Sequence, residues 1–184
     1  EALSGATVGG CEVVSVVLPV IYGEDVKGVL PMIEEHGPLA VVSLGMAGNR
    51  PSIRVERVAL NLRDDEEGTG KEERPIVADG PASYFSTLPT REIVSSIQAV
   101  DLEAGLSYFA GTYLCNHLMY STLHDFAERD LQIPTGFIHV PRLPEQAEDR
   151  PGLETGMTLE RSRKGVLAAL EAVVHRLMER SAGV

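Results

Sequence analysis

Positive charge is scarce in this chain. Sixteen lysines and arginines face 27 aspartates and glutamates, giving a net charge of -11 and a pI near 4.9. Such a surface repels phosphate backbones and anionic lipid, which argues against nucleic acid or a membrane as partner. No apolar run reaches the roughly 18–20 residues of a spanning helix. There are two cysteines, Cys11 and Cys115, far apart and with no secretory apolar segment ahead of them, which favours a reducing, cytoplasmic setting. No histidine or cysteine spacing resembles a metal site, so neither metal nor other cofactor is expected. Internal repeats and low-complexity tracts are absent as well. What remains is a chain of 184 residues, 43% hydrophobic, long enough to bury a substantial core and expected to form one domain over residues 1–184. Glu1 is not an initiator methionine, so the natural N-terminus is expected to be missing.

The hydrophobic pattern alternates between strands and helices. Glu12–Pro19 is β-branched and stops at a proline, predicting a strand. Asp25–His36 sets Val26, Val29, Leu30 and Ile33 on one helical face, and Gly37-Pro38 breaks it. Leu39–Leu44 reads as a buried strand. Ser52–Leu62 alternates around Ile53 and Val55, then around Val58 and Leu60, and the change of phase near Arg57 predicts a bend beside Glu56. Arg63–Arg74 is a charged excursion. Further on, Thr90–Ala104 reads as a helix, Leu106–Ala110 as a strand, Asn116–Arg129 as a helix and Thr135–Val140 as a strand. Pro144–Gly156 reads as a polar loop and Thr158–Ser181 as a long amphipathic helix with Leu159, Val166, Leu170, Val173 and Leu177 inward. This order predicts an α/β fold, a three-layer α/β/α sandwich around a mainly parallel, mixed sheet.

Two residues stand out chemically. Cys115 lies in Ala110-Gly111-Thr112-Tyr113-Leu114-Cys115-Asn116-His117, where an extended run becomes helical. A thiol in the first turn of a helix feels the positive end of the helix dipole and unpaired N–H groups, which favour the thiolate. His139 follows 24 positions later in Gly136-Phe137-Ile138-His139-Val140-Pro141, at the end of a short strand. One helix and a return strand would carry the imidazole back beside the sulfur. A buried cysteine is more often a small hydrophobe, so the nucleophile reading competes with plain packing. His117 lies two residues from Cys115, hence on a different helical face, and reads as a structural or rim histidine. His36, His124 and His175 fall in helical patterns as surface or packing residues. Glu56, between Arg54 and Arg57, is by itself as well explained by a surface salt bridge as by any catalytic role.

The cysteine and histidine segments, with Gly45-Met46-Ala47-Gly48-Asn49-Arg50-Pro51-Ser52-Ile53-Arg54-Val55-Glu56-Arg57-Val58-Ala59-Leu60-Asn61 and Asp79-Gly80-Pro81-Ala82-Ser83-Tyr84-Phe85-Ser86-Thr87-Leu88-Pro89, resemble the pyroglutamyl-peptidase I family of cysteine peptidases. The resemblance runs from about Leu18 to Ala172. It implies an exopeptidase that removes an N-terminal pyroglutamyl residue through a triad of Glu56, Cys115 and His139 and a thioester intermediate. It implies peptides with N-terminal pyroglutamate as partners, and assembly into a homodimer or homotetramer. The family's contact to the pyroglutamyl ring maps to Met46. A small, neutral, partly apolar ring calls for a greasy pocket with a few backbone donors and acceptors, and Tyr113 and Leu114, just before the nucleophile, are its expected walls. Tyr84 and Phe85 are weaker candidates. Asp79, in turn-forming Asp79-Gly80-Pro81, ranks below Glu56 as the acid.

Three departures from the family pattern matter. Relatives carry glutamine where this chain has Met46, and an arginine where it has Glu66. The family's opening strand and Gly-Phe-x-Pro-Phe-Gly loop have no counterpart here. The first two motivate an alternative, a hydrolase of the same fold with a shifted acyl preference. The third motivates another, a non-catalytic domain that binds blocked peptide N-termini.

Overall fold

The structure, a computed structural model, describes residues 3–47, 50–64, 73–148 and 156–182. A two-residue ribbon comes first, β1 (Thr7–Val8) antiparallel to β2 (Cys11–Glu12). There follow α1 (Glu24–His36), β3 (Val41–Met46), β4 (Ile53–Glu56), β5 (Val58–Leu60), β6 (Ser83–Phe85) and α2 (Thr90–Ala99). The chain continues through β7 (Ala104–Ser107), α3 (Leu114–Glu128), β8 (Thr135–Val140), α4 (Pro144–Glu148) and α5 (Leu159–Ala182).

The central sheet has four strands in the order β3-β8-β4-β7. β3 and β8 run parallel, as do β4 and β7, while β4 runs antiparallel to β8. Alternation along the strands divides the side chains between two cores. Ile53, Val55, Ala104 and Ile138 face α2 and α5, where Ile93, Ile97, Ala169 and Val173 close over them. Val41 and Phe137 face the other way, toward Val29 and Ile33 of α1 and Leu118, Met119 and Leu123 of α3. The result is the three-layer α/β/α sandwich, with a mixed sheet in the middle.

Helix and strand ends follow local chemistry. Gly37 ends α1 in the left-handed region, with φ 51 and ψ 55, and its N–H reaches Ile33 O at 3.0 Å. The bend expected near Arg57 is present. Arg57 separates β4 from β5, its N–H bonds to Ser107 O at 2.7 Å, and β5 then pairs with β6 instead of the main sheet. Thr135–Val140 forms a strand with the predicted bounds, between Pro134 and Pro141.

Other expectations need correction. Of the segment Glu12–Pro19, Glu12 alone lies in a strand. Val13 still bonds to Ala6 and Gly5, but Val14–Pro19 has no regular structure, and Val14, Val16 and Val17 are exposed. β-branched composition favours a strand only where a neighbour can complete the ladder, and among the described residues none does so. α2 stops at Ala99, five residues short of the periodic pattern, because Asp101 turns the chain with φ 59 and β7 begins at Ala104. α3 starts at Leu114, two residues earlier than predicted, which puts Cys115 inside its first turn. Part of the expected 144–156 loop is the short helix α4. Leu159 is 61% exposed instead of buried, since it is the first residue of α5. Glu66 lies outside the described residues.

Candidate active site

The register of the sheet builds the site. Gly45 of β3, His139 of β8, Arg54 of β4 and Gly105 of β7 lie opposite one another in a row across the sheet. One step along, Ser43, Phe137, Glu56 and Ser107 form a second row on the same face. Glu56 and His139 are therefore diagonal neighbours, and His139 Nδ1 donates a hydrogen bond to Glu56 Oε1 at 2.8 Å. Both are buried, the glutamate to 2% exposure. Its other oxygen, Oε2, is buried without a partner among the described residues, and the imidazole is the group seen to stabilise this carboxylate.

With Nδ1 committed to Glu56, Nε2 is left for Cys115. Burial opposes a charge on His139. Hydrogen bonds to Cys115 and Glu56, and their negative charge, outweigh that opposition and raise its pKa from 6.5 to about 9. The imidazole is therefore an imidazolium near neutral pH, poised to donate a proton.

Cys115 reaches this position because β3 has no side chain at Gly45. A Cβ there would lie 3.0 Å from Cys115 Sγ and 2.7 Å from the Phe137 ring. The Phe137 ring in turn packs on His139, with centroids 4.8 Å apart. At the N-terminus of α3, Tyr113 offers no side-chain cap, and the first intrahelical bond runs from His117 N–H to Tyr113 O. The N–H groups of Leu114, Cys115 and Asn116 are thus unpartnered among the described residues. They form a donor set beside the sulfur, where a developing oxyanion would sit.

The loop entering α3 is clamped from several sides. Gly111 takes φ 85, a conformation open to glycine. Thr112 donates from Oγ1 to Asp64 Oδ2 at 2.7 Å and accepts Asp64 N–H at 2.8 Å. Asn116, fully buried, donates to Leu60 O and Leu62 O and accepts from Leu60 N–H, at 2.8–2.9 Å. The amide thus bolts the helix that carries Cys115 to β5. The sequence reading gives Asn116 no role beyond opening a helix, although an asparagine in a helix's first turn beside a candidate nucleophile is a usable signal, because its side chain competes for backbone hydrogen bonds.

Glu56, Cys115 and His139 converge, and Tyr113 stands next to them at 38% exposure. Leu114 is buried at 8% exposure. Met46 is different. It alternates with Gly45, so its side chain leaves the sheet on the face opposite Cys115 and is half-exposed. From β3, its backbone alone can serve this site. Asp79 is exposed, and the carboxylate bonded to His139 is that of Glu56. His117 is buried and donates from Nδ1 to Asp25 Oδ2 at 2.8 Å, tying α3 to α1. Tyr22 packs edge-on against both His117 and Tyr113, at 5.1 and 5.5 Å. Among the described residues no three His, Cys, Asp or Glu side chains converge as a metal-binding set. A cavity of about 90 Å³ between Leu88, Pro134 and Val173 lies on the α2–α5 side and adjoins none of this chemistry.

The geometry is that of a cysteine hydrolase, and comparison with known proteins names the kind. A family model described as pyroglutamyl peptidase matches residues 1–176. The chain belongs to the pyroglutamyl peptidases. It is 41% identical over 172 residues to a pyrrolidone-carboxylate peptidase of Treponema denticola, covering 90% of this chain and 79% of that one. A Bacillus cereus protein of the same name is 39% identical over 175 residues, covering 93% and 81%. Among solved structures, pyrrolidone carboxyl peptidase from the hyperthermophile Pyrococcus furiosus superposes with a TM-score of 0.88 at 36% identity, over 96% of this chain and 88% of that one. Pyroglutamyl peptidase I of Bacillus amyloliquefaciens gives 0.88 at 31% identity, over 95% and 85%. Membership in this family makes the chain a cysteine peptidase of the pyroglutamyl-peptidase I type.

Proposed function

We propose that this chain hydrolyses the amide bond after an N-terminal pyroglutamyl residue, with Cys115 as nucleophile, His139 as acid and base, and Glu56 holding His139. The observation that carries this reading is the 2.8 Å bond from His139 Nδ1 to Glu56, which leaves Nε2 for the sulfur at the start of α3. The thiolate of Cys115 attacks the pyroglutamyl carbonyl, and the oxyanion forms against the unpaired N–H groups of the first turn. The His139 imidazolium gives its proton to the leaving amine as the C–N bond breaks. Neutral His139 then takes a proton from the water that attacks the thioester and keeps it as Cys115 departs as thiolate, which restores the starting ion pair. Glu56 fixes the tautomer and stabilises the imidazolium throughout. Tyr113, Leu114 and the backbone at Met46 form the walls and donors around the ring.

The same reading places the protein in the cytoplasm, where a thiol nucleophile stays reduced, and both cysteines are free. It also gives a homodimer or homotetramer, which the exposed Val17, Val20 and Ile21 support. A fluorogenic pyroglutamyl amide tests the activity directly. Turnover that disappears in Cys115→Ser is the expected result. Hydrolysis surviving that change, or a prolyl amide without the ring carbonyl cleaved equally well, would overturn the reading.

A further inference from the structure

Arg54 carries the one charged side chain besides His139 in the row Gly45, His139, Arg54 and Gly105, and the mechanism leaves it without a task. It stands opposite His139 on β4, two residues before Glu56 and on the same face. It is half-buried, its Nε is buried with no acceptor, and among the described residues no carboxylate pairs with it. Two other arginines of this region have contacts of their own. Arg57 donates to Ser86 O and lies over Phe85, and Arg63 lies over Tyr22. The side chain of Arg54 extends instead across β7, and its Nη1 would meet a Cβ on Gly105 at 2.6 Å. Glycine at position 105 gives the guanidinium its bed. α3 packs over β8 and β5, and α2 and α5 pack on the opposite face. The sheet around Arg54 and Gly105 therefore remains a partly open floor beside the triad.

The direction of the substrate follows from the chemistry already assigned. The acyl part lies at Cys115 and Tyr113, and the leaving amine must lie at His139, which protonates it. The remainder of the peptide runs from His139 away from Cys115, along the row toward Arg54 and Gly105. Gly105 is two strand spacings from His139, roughly 10 Å, and an extended chain covers about 3.3 Å per residue. A group borne two to three residues beyond the scissile bond arrives at the guanidinium. Resting on the function proposed above, we propose that Arg54 is a specificity residue that binds a carboxylate on the leaving peptide. An unpaired guanidinium fits a carboxylate through two parallel hydrogen bonds. The carboxylate is either the C-terminus of a short peptide or an acidic side chain.

Release of free pyroglutamate measures kcat/KM on two matched pairs. pGlu-Ala-Ala with a free C-terminus against its C-terminal amide reads the terminal carboxylate. pGlu-Ala-Glu amide against pGlu-Ala-Gln amide reads the side chain. The wild type should prefer the acid of at least one pair by about tenfold, the scale of one charge-assisted bond. That ratio should fall to near one in Arg54→Gln and be partly kept in Arg54→Lys. Ratios near one in the wild type overturn the assignment whether or not either variant folds, as does an undiminished ratio in Arg54→Gln. Equal turnover of both members of each pair sinks this inference alone. No turnover of any of the four sinks it together with the function beneath it.

Discussion

Cys115 Sγ occupies the space that a side chain on Gly45 would fill, 3.0 Å from where its Cβ would be. The Phe137 ring closes the same space from the other side at 2.7 Å, and that ring is 2% exposed with little freedom to retreat. Gly45→Ala should therefore displace the sulfur or the ring. The expected cost is about 1–3 kcal/mol of stability, the usual range for overpacking. A larger loss is expected in kcat, because the displaced groups are the proposed nucleophile and the ring that supports its proposed base. Urea unfolding read alongside turnover checks both, and an alanine variant as active as wild type would contradict this packing.

The two thiols should react at different rates. Iodoacetamide is expected to modify Cys115 faster than Cys11 at neutral pH, because the imidazolium of His139 faces one sulfur and among the described residues no comparable cation is bonded to the other. Peptide mapping after short exposures reads the rates, and equal labelling counts against an activated nucleophile.

His139 and His117 both bond to a buried carboxylate at 2.8 Å, yet their replacement should read differently. His139→Ala should remove as much kcat as Cys115→Ser, since groups that act as one unit fail together. His117→Ala leaves Asp25 buried without its partner and should cost about 1–3 kcal/mol in stability with a mild effect on kcat. A more severe kcat loss from His117→Ala would show that the wrong histidine has been assigned. Glu56→Gln should keep substrate binding and lower kcat by less than Cys115→Ser, since Glu56 touches no reacting atom.

Stability should fall as pH rises through the alkaline range. The pKa of His139 is raised from 6.5 to about 9 on folding, so the folded state holds this proton more tightly. The resulting stabilisation is fully present below about pH 6.5 and is lost as pH passes through 9. Urea midpoints measured from pH 6 to 10 should decline in wild type and flatten in His139→Gln. Glu56→Gln should narrow the range over which the decline occurs. Matching slopes in wild type and His139→Gln would rule out a shifted pKa at this site.

Asn116→Ala strips three hydrogen bonds from a fully buried position and strands the N–H and C=O of Leu60 together with Leu62 O. The expected loss is about 2–4 kcal/mol, read as a lower urea midpoint, with slower alkylation of Cys115 as α3 loosens from β5. An unchanged alkylation rate would mean that Asn116 supports the fold without positioning the sulfur.

How much of this was legible beforehand depended on whether local sequence or distant packing decides a feature. Thr135–Val140 was readable because β-branched and aromatic residues run between two prolines, and both signals are local. The bend at Arg57 was readable from a change of phase. Val14–Pro19 misled, because strand propensity says nothing about whether a neighbour exists to pair with. Cys115 and His139 could be picked out as candidates from residue type and element boundaries, whereas Glu56 had no spacing to separate it from a surface carboxylate. Its role depends on strand register, which sequence does not state. Gly45, Asn116 and Arg54 were harder still. Their importance lies in what a neighbouring segment does with the space or the charge, and that becomes visible when β3, β7 and α3 are seen side by side.

The antiparallel placement of β4 against β8 has a consequence for how the enzyme comes to be active. Strand pairing fixes which side of the sheet each residue faces, and a slip of one position turns every side chain of the slipped strand over. A copy in which β4 is displaced by one residue would present Val55 to His139 and send Glu56 into the core of Ile93, Ile97 and Val173. Its helices and its overall strand content would be nearly unchanged. During refolding, recovery of circular dichroism and recovery of turnover are therefore separate clocks, and the interval between them times the alignment of one four-residue strand.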